Sequence, residues 1–311
     1  MGALKRKIVN LKNNSFLLRI FWHMYLLVRG YFSLKFISDE DKIVSLYKSY
    51  SGRNPNLSSP SLFSEKLQVI KLNPYKWKLM TEFACKYRCR AALMNEGLDD
   101  ILIGLIHVTD KPLDIRKLEL PGRYVIKASH GSGWNIIKSK KDQELSWILV
   151  KILTWVWLRS NIFWLGREPS YRGLKPYIII EEYLENTDKN LIDYKFHFFN
   201  GRFEFLQVNS DRNGKAPVQN FYDINFKLLP FYKDIKSNPN VVIQRPLLFD
   251  RMMETAKHLS EPFDYVRVDF YEVSGKLFFG EMTFFPHSGL PDFSPSDFDR
   301  YYGNHLNISI P

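Results

Sequence analysis

The stretch VRVDFYEVSGKLFFGEMTFFPHSG, residues 266–289, reads as two strands around a short turn. Strand side chains alternate, so Val266, Val268 and Phe270 point one way and Arg267, Asp269 and Tyr271 the other. On the return strand, alternation groups Phe278, Met282 and Phe284 against Phe279, Glu281 and Thr283. One face is core, and the other gathers an arginine and two acids. Asp269 meets Glu281 across the ladder if the loop holds an odd number of residues, such as Ser274, Gly275 and Lys276, or if a bulge intervenes. Two carboxylates directly opposite repel unless something positive lies between them. Mg²⁺ bound to phosphates would supply that charge. A solvated outer face would explain the same residues without any ligand. On the metal reading, removing either acid should leave folding unharmed or improve it, because like charges no longer face each other.

The 311-residue chain is 45% hydrophobic and 15% aromatic, enough to bury one large domain or several joined subdomains. Its net charge of +11 points to an anionic partner such as a nucleotide, an acidic glycan or an anionic lipid. Zinc-finger spacing, an RRM signature and a long polybasic block are absent, so nucleic acid is not expected. The two cysteines of CKYRC, Cys85 and Cys89, have no second pair to complete a zinc site. They read as ordinary helix residues and fit a reducing cytoplasm. Residues 15–36, SFLLRIFWHMYLLVRGYFSLKF, are strongly apolar but interrupted by Arg19, His23 and Arg29. That disfavours a signal peptide or a transmembrane helix. Lys5, Arg6, Lys7 and Lys12 precede the stretch. A core-packed helix and a basic helix lying on the inner face of the cell membrane both fit it.

Residues 1–110 read as mainly helical. Ser38 is an N-cap before an acidic first turn, the segment 51–61 is loop, PSLFSEKLQVIKL starts a helix, and residues 75–97 form one long helix ended by Gly97. From about 121 strands take over: RYVIKAS, NIIKSK and the apolar run YIIIEEYL, with a tryptophan-rich helix between the second and third. DYKFHFF-NG-RFEFLQV is a hairpin on a type I′ Asn200-Gly201 turn; Asp193, Lys195 and His197 alternate onto one face, which reads either as part of a site or as a polar outer face. PLLFDRMMETAKHLS is a helix, and a polar, proline-rich tail closes the chain.

Within VIKASHGSG, Lys127 stands near a strand end, and Gly131, Ser132 and Gly133 form a turn whose small residues let backbone N–H groups approach phosphate oxygens. No GKS or GKT follows, so this is not a P-loop. Glu181 and Glu182 end the run YIIIEEYL, where a sheet edge can bond an adenine and an acid can hold ribose hydroxyls. Acids emerging into solvent would read the same way.

Taken in order, LFSEKLQVIKL, KYRCR, VIKASHGSG, IIIEEYL, DYKFHFFNGR and the opening hairpin resemble the ATP-grasp superfamily. More narrowly they are similar to the TupA-like (teichuronopeptide-biosynthesis) family of polysaccharide gene clusters. The resemblance covers residues from about 60 to 290. It implies an α+β fold in which two α+β subdomains sandwich ATP: residues 111–185 with the phosphate loop and 186–311 with the metal site, after the helical region 1–110. Lys127 and residues 131–133 would hold phosphates. Glu181, Glu182, Tyr183 and Leu184 would hold adenine and ribose. Lys195 would be a second phosphate contact, and Arg267 would stabilise the transferring phosphoryl group. Asp269 and Glu281 would hold Mg²⁺ together with Thr283, which stands where many superfamily members have Asn and is a weaker ligand. Lys86 of CKYRCR lacks the Asp that often precedes this lysine and receives no role.

The function so implied is an ATP-dependent carboxylate–amine ligase. It would join an amino acid to an acidic sugar, through an acyl phosphate, in the cytoplasm. Two other classes remain open: a glycosyltransferase, against which stands the lack of a D-x-D motif, and a non-catalytic nucleotide- or glycan-binding scaffold at the membrane.

Overall fold

The computed structural model describes residues 15–73, 76–185, 191–210, 217–233 and 235–308. Five helices open the chain: α1 (Phe16–Phe36), α2 (Asp39–Ser51), α3 (Phe63–Leu72), α4 (Trp77–Ala84) and α5 (Arg88–Asn95). Strands β1 (Leu105–Thr109), β2 (Tyr124–Ala128), β3 (Asn135–Lys138) and β4 (Ile178–Glu182) make an antiparallel sheet ordered β1-β4-β2-β3. Between β3 and β4 lie α6 (Trp147–Arg159) and α7 (Phe163–Gly166). Strands β5 (Asp193–Phe199), β6 (Arg202–Ser210), β7 (Val218–Tyr222), β8 (Tyr265–Val273) and β9 (Lys276–Thr283) make a second antiparallel sheet ordered β7-β6-β5-β8-β9. Helix α8 (Phe249–Ser260) precedes β8, and α9 (Asp297–His305) follows β9. The architecture is mixed α+β with a helical N-terminal region.

Local chemistry sets many of the boundaries. Ser38 Oγ accepts the Asp41 N–H at 3.0 Å, and three acids fill that first turn of α2, complementing the helix dipole. Asn200 and Gly201 take φ of +49° and +74°, the left-handed pair a type I′ turn demands.

Three expectations are corrected. The long helix over 75–97 is broken: Cys85 is extended at φ −77°, ψ 111°, and Lys86 N–H donates to Ser129 O at 2.9 Å instead of continuing the helix. The face of β5 bearing Asp193, Lys195 and His197 is not solvated, for all three are buried; this strand is central in its sheet, covered on both sides. The tail is not merely polar. Once the prolines at 291 and 295 are passed, α9 forms, buries Tyr302 against Phe199, Phe205 and Phe293, and places Asp299 to accept from Ser64 N at 2.8 Å and Ser64 Oγ at 2.6 Å.

Two hydrophobic cores result. The larger is aromatic, with Phe196, Phe198, Phe205, Phe221 and Phe270 fully buried around the second sheet. The smaller packs Ile126, Ile136, Ile178 and Ile180 of the first sheet against Leu153 and Trp157 of α6. Helix α1 lies on α6 and α7 and buries only Ile20, His23, Gly30 and Ser33. Beneath it the Arg167 guanidinium is 1% exposed, bonded to Ser33 O at 2.8 Å and paired with Asp39 at 2.7 Å. Most of the rest of α1, including Leu17, Phe21, Trp22, Tyr25, Val28 and Phe32, is exposed, as are Ile148, Ile152 and Trp155 of α6. Among the described residues no helix is long and apolar enough to cross a membrane.

Candidate functional site

The β8–β9 hairpin turns on two residues, Ser274 and Gly275, with φ of +52° and +72°. That even-numbered loop alone would put Asp269 opposite Gly280. A bulge between Phe270 and Asp269 accommodates Gly280 as an extra residue, so Phe270 pairs with Phe279 but Asp269 pairs with Glu281 and Arg267 with Thr283. The bulge also reverses one grouping expected from simple alternation: Phe279, not Phe278, joins Met282 in the core. A Cβ at position 280 would sit 3.0 Å from Asp269 O, which suits glycine to the bulged position.

The acids do not stand alone. Arg267 Nε and Nη2 each donate to Asp269 at 2.7 Å, and Nη2 reaches Thr283 Oγ1 at 3.0 Å and Glu281 Oε1 at 3.3 Å. Lys195, opposite Asp269 on β5, pairs with Asp269 and with Asp193 Oδ2 at 2.7 Å. Asp269 is 1% exposed, whereas the Glu281 side chain is 31% exposed. Burial works against charge at both Arg267 and Glu281. The facing acids nevertheless raise the Arg267 pKa above its ordinary value, and Lys86, Arg267 and Lys195 hold the Glu281 carboxyl well below the usual carboxylate range.

Lys86 joins this hairpin to the first sheet. Its ammonium lies 2.9 Å from Gly131 O and 3.1 Å from Glu281 Oε2. The break at Cys85 lets Lys86 turn inward while Cys85 and Cys89 go to the core as free thiols; burial pushes Cys89 up to about 12, so it is inert at neutral pH. Lys86 is the site residue that sequence reasoning missed. The available signal was a basic pair, Lys86 and Arg90, at helical i,i+4 spacing beside the apolar pair Cys85 and Cys89.

In the first sheet Lys127 Nζ pairs with Glu181 Oε2 at 2.7 Å, and Arg90 Nη1 approaches Glu181 Oε1 at 3.4 Å. Glu181 is buried rather than emerging into solvent, and Glu182, pointing oppositely, is exposed beside Gly104. Tyr183 and Leu184 follow, half-buried. Lys127, Glu181, Lys86 and Arg90 surround a small cavity of about 10 Å³ that Gly280 also lines. Gly131 is packed: a Cβ there would meet Trp134 at 2.5 Å. Gly133 has a φ of +69°, and Ser132 reaches a larger cleft of about 380 Å³ shared with Lys195, Arg267, Glu281 and Thr283. Glu168 lines that cleft, and its charge acts on the buried Lys71 nearby, a neighbourhood unforeseen in the sequence. Lys71 Nζ donates to Gly166 O at 2.9 Å and Ser288 O at 2.7 Å; burial lowers it to about 8 and raises Glu168.

Lys86, Lys127 and Glu181 thus line one cavity and Lys195, Arg267, Glu281 and Thr283 the cleft beside it, with Asp269 buried behind Arg267 and Lys195. Glu182, Tyr183 and Leu184 stand apart from that network. Among the described residues no three His, Cys, Asp or Glu side chains converge as a metal centre. The donor set at the hairpin is two carboxylates and a hydroxyl, all oxygen. That fits Mg²⁺, which takes few protein ligands and completes its shell with phosphate and water.

The TupA-like ATPgrasp family matches residues 65–307. The chain belongs to the TupA-like ATP-grasp family. The match takes in both sheets and every site residue above, so the fold is ATP-grasp. Solved ATP-grasp structures resemble it distantly. D-alanine–D-alanine ligase from Bacillus anthracis, complexed with ATP, is 14% identical over 65% of this chain and 55% of its own, with a TM-score of 0.39. The ATP-grasp ligase PsnB with its minimal precursor is 11% identical over 66% and 53%, with a TM-score of 0.38. N5-carboxyaminoimidazole ribonucleotide synthetase from Thermus thermophilus is 14% identical over 65% and 45%, with a TM-score of 0.33. The chain spans about half the length of these structures. No curated protein matches.

Proposed function

We propose that this TupA-like protein is an ATP-dependent carboxylate–amine ligase that joins an amino acid to an acidic sugar in surface-polysaccharide synthesis. The observation that supports the reading is Lys86, whose ammonium bonds both the glycine turn and Glu281, so that the residues we assign to phosphate and those we assign to metal adjoin. Lys86, Lys127 and Lys195 bind phosphate oxygens, with Ser132 and the turn around it covering them. Asp269 and Glu281 would hold Mg²⁺, assisted by Thr283, and the ion would supply charge neutralisation. Arg267 is aimed by its two bonds to Asp269 and stabilises the charge that builds on the transferring phosphoryl group. The acceptor carboxylate takes that group to become an acyl phosphate, an amine attacks the carbonyl carbon, and phosphate leaves as the amide forms. Glu181 orients Lys127 and lies where the strand end can meet adenine and ribose, with Glu182, Tyr183 and Leu184 beyond it. The net charge of +11 suits an acidic acceptor.

The same proposal places the enzyme in the cytoplasm, peripherally on an anionic membrane. The exposed apolar residues of α1 are accompanied by Ile148, Ile152 and Trp155, likewise exposed, on α6, against which α1 packs. Arg29, Lys35, Lys151 and Arg159 lie on these two helices, and Lys5, Arg6, Lys7 and Lys12 precede them in the sequence. An apolar face with basic residues around it matches an anionic lipid surface.

The test is Mg²⁺-dependent ADP release by the purified protein, with amino acids crossed against uronic acids. Release only when both are present, with an amide product by mass, is the expected result. ADP release for no pair, or sugar transfer from a nucleotide sugar without ATP, would overturn it.

A further inference from the structure

Residues opposed across a ladder share a face, so the register of the second sheet extends the active face beyond its charged half. One row runs Glu281–Asp269–Lys195–Gln207, and the next runs Tyr271–Asp193–Asn209–Gln219. From β9 to β5 the rows carry acids, a base and Tyr271. On β6 and β7 they carry three neutral carboxamides, Gln207, Asn209 and Gln219. All three line the same cleft as Lys195 and Arg267.

These amides are not surface decoration. Gln207 and Gln219 are each 7% exposed. Gln207 Nε2 donates to Asn209 Oδ1 at 3.1 Å, which orients that pair. Gln219 Oε1 is buried with no hydrogen-bond donor among the described residues. A buried acceptor left unmet is costly, and a ligand donor would satisfy it. Carboxamides offer donors and acceptors together without charge, so they do not compete with the lysines for phosphate. Vicinal hydroxyls, each both donor and acceptor, are their natural counterpart. Two strand spacings, about 10 Å, separate the column of Lys195 from that of Gln219.

We propose that the carboxamide wall of β6 and β7 is a sugar subsite. It binds the ring hydroxyls of a pyranose whose carboxylate faces Lys195 and Arg267. This deepens the ligase reading and rests on it for the carboxylate's fate, but the hydroxyl recognition is separable by experiment.

The probes are methyl α-D-glucopyranoside, which has no carboxylate, and methyl β-D-glucuronide. Each is titrated into the full chain with Mg²⁺ and ADP and read by saturation-transfer NMR. Wild-type protein should transfer saturation to ring protons of both sugars and bind the glucuronide more tightly. Gln219→Met and Asn209→Leu should each weaken both sugars about tenfold, with ADP affinity and melting temperature unchanged. No transfer to the neutral sugar in the wild type overturns the subsite, as does equal sugar affinity in folded variants. Sugar binding that meets these expectations while no uronate and amino-acid pair releases ADP would sink the ligase reading and leave the subsite standing. ADP release with glucuronate that neither variant disturbs would do the reverse.

Discussion

Replacing Asp269 should destabilise the fold as well as lower turnover. A view of Asp269 and Glu281 as two acids in mutual repulsion expects Asp269→Asn to be neutral or stabilising. The contacts reverse that sign. Asp269 is 1% exposed and takes two 2.7 Å bonds from Arg267 as well as the Lys195 ammonium. An asparagine there leaves a buried guanidinium and a buried ammonium short of countercharge. Breaking a buried pair from one side costs about 3–5 kcal/mol, which for a chain of this size lowers the melting temperature by roughly 5–10 °C. Glu281→Gln is the internal control. Its side chain is 31% exposed, against 2% for Asp269, and Lys86 keeps its bond to Gly131 O, so the loss should be smaller than at Asp269. Calorimetric scans of both variants, beside Mg²⁺-dependent ADP release, separate the two effects. Both should lose turnover by orders of magnitude, but only Asp269→Asn should melt early. Asp269→Asn melting within about 2 °C of wild type would refute the claim that Asp269 neutralises the buried cations.

Lys127→Ala and Lys86→Met should each weaken ATP about 10- to 100-fold by titration calorimetry, the worth of one charge-assisted contact of roughly 1.5–3 kcal/mol; unchanged affinity would remove them from the phosphate site. Burial lowers His130 to about 4 from an unfolded value near 6.5. Between those values the unfolded chain binds more protons, so stability should fall as pH drops through that window, by about 3 kcal/mol in all; His130→Gln should flatten that slope in urea titrations at stepped pH. A triple change of Phe21, Trp22 and Tyr25 to serine should leave the melting curve intact and abolish pelleting with mixed phosphatidylcholine–phosphatidylserine vesicles at low salt. Pelleting that persists would remove the membrane from the proposal.

The site was legible where local rules decide it. Alternation placed Arg267 and Asp269 on one face, and the Asn200-Gly201 pair announced its own turn. The need for a bulge could be stated from parity, but parity does not place it; the local signal was Gly280, a lone glycine within a strand. Lys86 was hidden for a different reason. Residues 77–95 have continuous helical periodicity, and only Ser129, 43 positions later, competes for the Lys86 N–H. The burial of Asp193, Lys195 and His197 was likewise out of reach, since alternation says which residues share a face but not whether that face is covered. The helix after Pro295 was masked by prolines that turn out to precede it.

Lys86 makes the glycine turn and the Glu281 carboxylate share one charge. Whatever draws the ammonium from Glu281 also changes its hold on Gly131, and whatever seats the turn changes the field at Glu281. The two halves of the cleft are therefore thermodynamically linked, and linkage is reciprocal. If divalent cation strengthens nucleotide affinity by some factor, nucleotide must strengthen cation affinity by that same factor, and shortening or neutralising this single side chain should bring both factors toward unity together.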